Sequence, residues 1–410
     1  MAGTTVQRYG VKSLRRIQIG KEATAGTQVL ATTIWRGEGT MQDDSKIVLP
    51  NEDVGVMMGT DRNYIPMQGG TLTLSATPAT FEQLPYLAEM GIMGVATGTV
   101  DGAGSGYIYS YLIPTTAQRT INNYSTETGD NAGAVFAPYA ILESMKLAGK
   151  YDGAITMEGV IKTRTVNKNV YTSSTIAFST VKTITDTASG LAIFPAGCNI
   201  LVNGSSANNA TIFTCTTSSA ASLGTVQTAI LEAAGSSITL EQTFTTVALP
   251  AVHDMVFNKS KLYIDDTTIG TTQVTGTFLG FEWDYKTGWK GQPAGDGRLD
   301  FSFTKSTMPS GTLKLTFEHE NAAKAEKAKW LSRTPRLIRI LNQGVALTTA
   351  GTSYSVYTMI LDVVGVYTKF NALSNDNGDD TVVAELALRY DTTAASAGQL
   401  VVVNQLSALT

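Results

Sequence analysis

At 410 residues and a formal net charge of −4, the chain is long enough for two or three domains, and its mild acidity argues against a general nucleic-acid binder. Charged residues are only 16% of the chain, while 39 glycines and abundant threonine, serine and alanine separate short apolar runs, which predicts mainly β structure with many turns. No run approaches the ~18 apolar residues of a membrane span, so no membrane insertion is expected; the first residues lack the apolar core of a secretory signal, so synthesis in a cytoplasm is expected.

The amino-terminal stretch is basic, with Arg8, Lys12, Arg15, Arg16 and Lys21, and strands are expected at 17–19 and 33–35. A connection from about 41 to 70 follows, without an obvious periodic pattern. It carries Asp43, Asp44, Glu52, Asp53 and Asp61 with Arg62, Tyr64, Ile65, Met57 and Met58. A structureless connection of that length is usually functional or disordered, and its acidic and apolar content suits a docking arm. Leucines alternate with threonines over 71–76, predicting a half-buried strand. Thr80 and Gln83 have capping-box spacing before a helix over 81–90, Gly91 can end it, and Pro85 predicts a late or kinked first turn. Strands at 107–113, 142–147 and 154–162 come next, the last two joined by a Gly149–Gly153 hairpin turn.

From about 172 to 246 the composition shifts to threonine, serine, alanine and asparagine. Strands are expected at 181–184, 199–202, 211–215 and 237–241, giving a small all-β module. Both cysteines, Cys198 and Cys215, fall inside it and read as small buried apolar groups, with pairing left open. Beyond Met255 longer strands return at 261–264, 276–283, 299–303 and 313–317. A helix over 322–331 has Asn321 as its N-cap and Pro335 as a stop, and strands at 356–366, 382–388 and 400–406 close the chain. Apolar residues of both parities mark 356–366 as covered on both faces. The 71–76 strand running into its helix and the 312–317 strand running into the second helix read as one unit used twice, which suggests a building block of a symmetric assembly. The expected division is 1–172, 173–250 and 251–410.

Catalytic chemistry finds little footing. With two histidines, His253 and His319, and the cysteines in another module, a zinc site is not expected, and neither is a cofactor. The glycines of 102–106 lack the spacing of a dinucleotide fingerprint, and no phosphate-cradling loop motif occurs. Glu318-His319-Glu320 reads as a solvated strand end. His253-Asp254 has no strand-to-helix nucleophile elbow to serve. The 43–61 carboxylates could supply a glycosidase pair, which leaves a carboxylate-based hydrolase and a surface adhesin or carbohydrate-binding protein as the competing classes.

Gly20 to Gln28, Trp35 to Gly39, the stretch from Asp53 to Pro66 and Ala79 to Leu87 together resemble the major tail (tail tube) proteins of long-tailed, non-contractile bacteriophages. Lys261 to Asp266, Thr287 to Trp289, Gly295 to Gly297 and Leu315 to His319 resemble the closing half of that family. The resemblance implies two tandem tail-tube-type β-sandwich domains, each flanked by one helix, with the small all-β domain inserted between them. It implies no catalysis, but rings stacked into a hollow tube in the virion tail. The tube would assemble around a tape-measure protein, end on terminator and tail-tip proteins, and pass double-stranded DNA as non-specific cargo. Two domains per chain imply a trimer with pseudo-sixfold symmetry. Arg8, Lys12, Arg15 and Arg16 on one copy facing Asp43, Asp44, Glu52, Asp53, Asp61, Arg62 and Tyr64 on another are the expected contacts.

Overall fold

In the computed structural model, which describes residues 10–55, 57–58, 61–95, 97–376 and 378–410, strands account for 48% of the chain, so the fold is mainly β with several sheets. Arg8 lies outside the described residues. The first block contains β1 (Arg16–Lys21), β2 (Thr33–Ile34), β3 (Gly39–Asp43), β4 (Lys46–Val48), β5 (Tyr64–Met67), β6 (Gly70–Pro78), α1 (Leu84–Gly91), β7 (Thr99–Val100), β8 (Tyr107–Leu112), β9 (Tyr124–Asp130), β10 (Gly133–Lys150) and β11 (Thr156–Thr163). The middle block contains β12 (Val170–Ser173), β13 (Ile176–Ser179), β14 (Thr183–Asp186), β15 (Asn199–Asn203), β16 (Ile212–Ser218), β17 (Ser222–Thr225) and β18 (Ile238–Thr243). The last contains β19 (Ser260–Asp265), β20 (Gln273–Val274), β21 (Phe278–Lys286), β22 (Trp289–Gln292), β23 (Phe303–Ser306), β24 (Ser310–Glu318), α2 (Asn321–Leu331), β25 (Arg336–Ala346), β26 (Val356–Phe370), β27 (Ser374–Asp376), β28 (Asp379–Leu388) and β29 (Gly398–Asn404).

One pairing path occurs twice. In the first block it runs β2-β1-β9-β10-β11-β6-β3. In the last it runs β20-β19-β25-β26-β28-β24-β21, antiparallel throughout. One pair of ladders agrees at single-residue level: β10–β11 skips Glu143 and β26–β28 skips Thr368, so both long strands bend at the same point. Leu72 and Leu74 on β6 match Leu313 and Leu315 on β24, all turned into the main core. That alternation is the pattern expected of strands with one face buried and one solvated.

The helices differ in how much they bury. α1 starts at Leu84, late as Pro85 dictates, with the Gln83 N–H donating to the Thr80 hydroxyl at 3.2 Å, and it is buried throughout. α2 buries only Ala323 and Glu326, since lysines at 324, 327 and 329 deny it a second apolar face. Asn321 is its first residue rather than its cap; extended Glu320 holds that position without a side-chain cap. Each helix nevertheless sends one buried glutamate to the same strand ends. Glu89 accepts from the Tyr124 hydroxyl at 2.7 Å and meets Lys21 at 2.9 Å. Glu326 accepts two hydrogen bonds from Arg336 at 2.8 Å and one from the Tyr367 hydroxyl at 3.0 Å.

The middle block is a seven-stranded sheet with its own core, ordered β12-β18-β15-β16-β17-β14-β13. It begins at Val170 rather than 173, because β12 pairs with β18. Cys198 and Cys215 are unpaired and buried in that core. Expected strands shift by a few residues here, and the strand expected at 299–303 lies at 303–306. The 41–70 connection, expected to be structureless, contains the β4–β5 hairpin.

With few charges, the middle block uses carboxylates to organise its loops. Burial alone would raise the Asp186 pKa, but donation from the Gly190 N–H, the Thr175 and Tyr171 hydroxyls and the Ala188 N–H brings it to about 2. The Ser205 hydroxyl leads the same effect at Glu232, helped by the Ser206 and Ala207 N–H groups against burial, and its pKa is also about 2. Both folded values are depressed, so the stabilisation is whole above the unfolded carboxylate range and is lost as pH falls from about 4 towards 2. Asp186→Asn should remove about 1–3 kcal/mol of that block's stability at neutral pH, and its acid-unfolding curve, followed by circular dichroism, should be shallower between pH 4 and 2 than that of the unaltered chain.

Candidate assembly interface

The two repeats are joined by strand pairing. The carboxyl-terminal part of β10 pairs with β11 on one side and β21 on the other, from Ser144 opposite Lys286 to Lys150 opposite Gly280. One sheet therefore runs β3-β6-β11-β10-β21-β24-β28-β26. Its outer strands pair on one side only. β3 pairs with β6 alone, and Val366 to Phe370 of β26 pair with β28 alone. In the repeat, β3 is the counterpart of β21, and the end of β26 is the counterpart of the end of β10. The two open edges are thus the two halves of the joint already closed inside the chain. Exposed main-chain donors and acceptors along such edges are templates for another strand.

A hairpin arm follows each edge-forming strand. After β21 the β22–β23 arm turns back over the amino-terminal part of β10, where Phe301 packs on Tyr139 with ring centroids 5.0 Å apart and Trp289 joins the Tyr139–Ile141–Phe301 cluster. Arg164, at the end of β11, clasps this arm: Nε donates to the Phe301 carbonyl at 2.9 Å, Nη2 to the Ser302 carbonyl at 2.7 Å, and the guanidinium lies 4.4 Å from the Tyr139 ring centroid. After β3 the β4–β5 arm finds no such bed. Ile47, Leu49, Val54, Met57, Met58, Tyr64 and Met67 are all exposed along it, Ile47 at 64%.

The outward face of the joined sheet is polar. Lys314 meets Glu282 at 2.7 Å, Lys146 meets Glu282 at 3.2 Å and Lys162 meets Asp44 at 3.6 Å. The Lys314 ammonium holds Glu282 below the usual carboxylate range, while burial and the Glu282 charge push neighbouring Asp284 up. A groove of about 1330 Å³ runs over this face, lined by Thr73, Lys146, Glu158, Asp284, Lys286 and Thr312 and overhung by 114–118 and 306–309.

The residues singled out in the sequence are scattered in this frame. Lys12 pairs with Glu38 at 3.6 Å, Arg15 is exposed, and the Arg16 guanidinium sits 4.8 Å from the Phe244 ring centroid, towards the middle block. Asp43 ends β3, where its carboxylate accepts from the Ser45 N–H at 2.9 Å. Asp44 is held by Thr71 and Lys162, and Glu52 pairs with Arg62 across the arm. Asp53, Asp61 and Tyr64 are exposed on the arm. Within one chain Arg15 and Arg16 therefore do not meet the acidic arm residues. Arg164, Arg389 and Lys369 escaped the sequence reading, since an isolated cation in a strand-rich stretch carries no local signal.

Of the catalytic candidates, His253 is held by neighbouring side chains. His253 Nδ1 lies 2.7 Å from Glu82 Oε1 and its ring packs on Tyr357. The His319 main-chain N–H donates to the Asp380 carbonyl. Among the described residues no three metal-ligating side chains converge. The 102–106 glycines pack against the 349–354 loop, tied by the Asp101 carboxylate to the Ser353 and Tyr354 N–H groups. The chain matches no known protein-family model and no curated protein.

The clasp has a measurable consequence. Arg164→Ala should destabilise the unassembled chain by about 1–3 kcal/mol, because the Phe301 and Ser302 carbonyls lose their donor, while Asp300 keeps Arg298 at 2.8 Å. Arg389→Ala, at an exposed side chain, should stay within about 0.5 kcal/mol. Chemical denaturation of both variants checks the contrast.

Proposed function

We propose that this chain is the repeating subunit of a hollow tube of the kind built by the tail tube proteins of long-tailed, non-contractile phages. The observation that carries the reading is the pair of open edges on a sheet whose internal joint already displays their complement. Copying the β10–β21 register onto the open edges sets Asp44 of one copy opposite Lys369 of the next, Gln42 opposite Asn371 and Gly39 opposite Ser374. In this reading the chain is two tandem tail-tube-type domains with an inserted β domain, and three chains present six repeats to a ring. The function is self-association, with no catalytic step and no cofactor.

The continuous sheet would then line the bore with its polar face. Lysines there already paired with carboxylates release few counterions to a passing duplex, which suits DNA as non-specific cargo rather than as a ligand. The middle block is anchored on the other side of the molecule. Glu127 on β9 accepts from the Thr245 N–H at 3.0 Å and from its hydroxyl at 2.7 Å, and the Gln18 amide donates to the Thr245 carbonyl. In this reading the module faces outward and the bore stays clear. A tape-measure protein inside, terminator and tail-tip proteins at the ends, assembly in a host bacterial cytoplasm and residence in the virion tail complete the proposal.

A cross-link tests it. With Gln42→Cys and Asn371→Cys in one chain, oxidation of the assembled protein should give a ladder ending at a closed trimer on a non-reducing gel, since opposed residues of paired strands have Cα separations a disulfide spans. Electron microscopy should show tubes of uniform diameter. A ladder ending at six chains, or particles that stay monomeric at every concentration, would refute the reading.

A further inference from the structure

We infer that the β4–β5 arm docks in trans, on a bed that the next copy presents around Val366 and Arg389, as the β22–β23 arm docks in cis around Ile141 and Arg164. The inference rests on the ring proposed above and names a second, separate contact within it.

The register of the two repeats makes the assignment. β10–β11 and β26–β28 align through their bulges at Glu143 and Thr368, which sets Ile141 level with Val366 and Arg164 level with Arg389. The backbone bonds at the two arginines differ by one residue: the Arg164 N–H donates to the Pro138 carbonyl at 3.0 Å, and the Arg389 N–H to the carbonyl of Val364, the counterpart of Tyr139, at 2.9 Å. The side chains differ in what they hold. Arg164 grips the β22–β23 arm, whereas the Arg389 side chain is exposed and has no hydrogen bond or ion pair with any described residue. With Leu388 and Tyr390 it lines one end of the groove of about 1330 Å³. An arginine lining an open groove, its side chain holding nothing among the described residues, stands where the other repeat has a filled clasp.

The arm supplies the missing half. β3 aligns with β21 through their ladders to β6 and β24, so Ile47 falls level with Trp289, and Asp61 falls level with Ser302, whose carbonyl Arg164 holds. Placing β3 against the next copy's β26 carries Ile47 to Val366 and Asp61 to Arg389. A charge-assisted contact to Arg389 then replaces the neutral carbonyl contact of the cis clasp. The apolar residues that the arm shows to solvent in one chain are those it would bury against the neighbour.

The test uses the full chain with a second cysteine pair, Ile47→Cys with Val366→Cys, beside the Gln42→Cys and Asn371→Cys pair. The expected result is an inter-chain disulfide from both pairs in assembled protein. Arg389→Ala should raise the concentration needed for polymerisation about tenfold, with Arg389→Lys between it and the unaltered chain, as for loss of one hydrogen bond to a charged group. If the strand-edge pair cross-links, the arm pair does not, and Arg389→Ala polymerises normally, the arm inference is overturned while the ring stands. An arm cross-link without the edge cross-link supports the arm contact and sinks the ring geometry. A chain that remains monomeric overturns both.

Discussion

Everything in this molecule turns on strand edges that must be paired. A ladder of N–H and C=O groups is costly to leave unmatched where water is excluded and a template for another strand where it is not, and the chain closes such an edge once, where β10 accepts β21. β10 can do so because it is unusually long: its first residues pair with β9, and its last have β11 on one side and β21 on the other. The bend at Glu143 separates the two jobs. β26, at 15 residues against 18, is also long and has the same bend, but its final residues have only one neighbour. The asymmetry between a satisfied joint and its open counterpart gives the self-association proposal its direction.

The doubled pattern was legible because burial leaves a simple signature. Leu72 and Leu74, and Leu313 and Leu315, alternate with polar residues under the constraint of one covered face, and both helices begin within a few residues of those strands. β26 was legible for the complementary reason, with apolar residues on both parities and both faces covered. β9 was not. Its Ser125, Thr126 and Glu127 are buried through hydrogen bonds rather than through apolar surface, as with the Ser125 hydroxyl on Glu22 and the Thr126 hydroxyl on the Ala137 carbonyl. Hydrophobic periodicity cannot register a strand of that kind. β4 and β5 were hidden because their apolar residues face no core within the chain.

The candidate interface was legible only in outline. Asp43, Asp44 and Asp61 stood out by charge, and the arm by length, but the correspondence of Arg164 with Arg389 lies in ladder register. The two arginines have different neighbours in sequence and no shared motif; only counting pairs from the bulges aligns them. Equal positions in a repeat also need not be equally buried. α1 is enclosed and α2 is half open, yet Glu89 and Glu326 still tie each helix to its strand ends. Those buried carboxylates hold the helix in place where apolar burial is meagre.

The middle block enters and leaves through adjacent strands of one ladder, with Val170 opposite Glu241. A module whose two ends are side by side imposes no span on the chain that carries it. It can be enlarged, exchanged or lost over evolution while the flanking strands keep their spacing, so this module is free to diversify at a rate the sheets that carry it do not share.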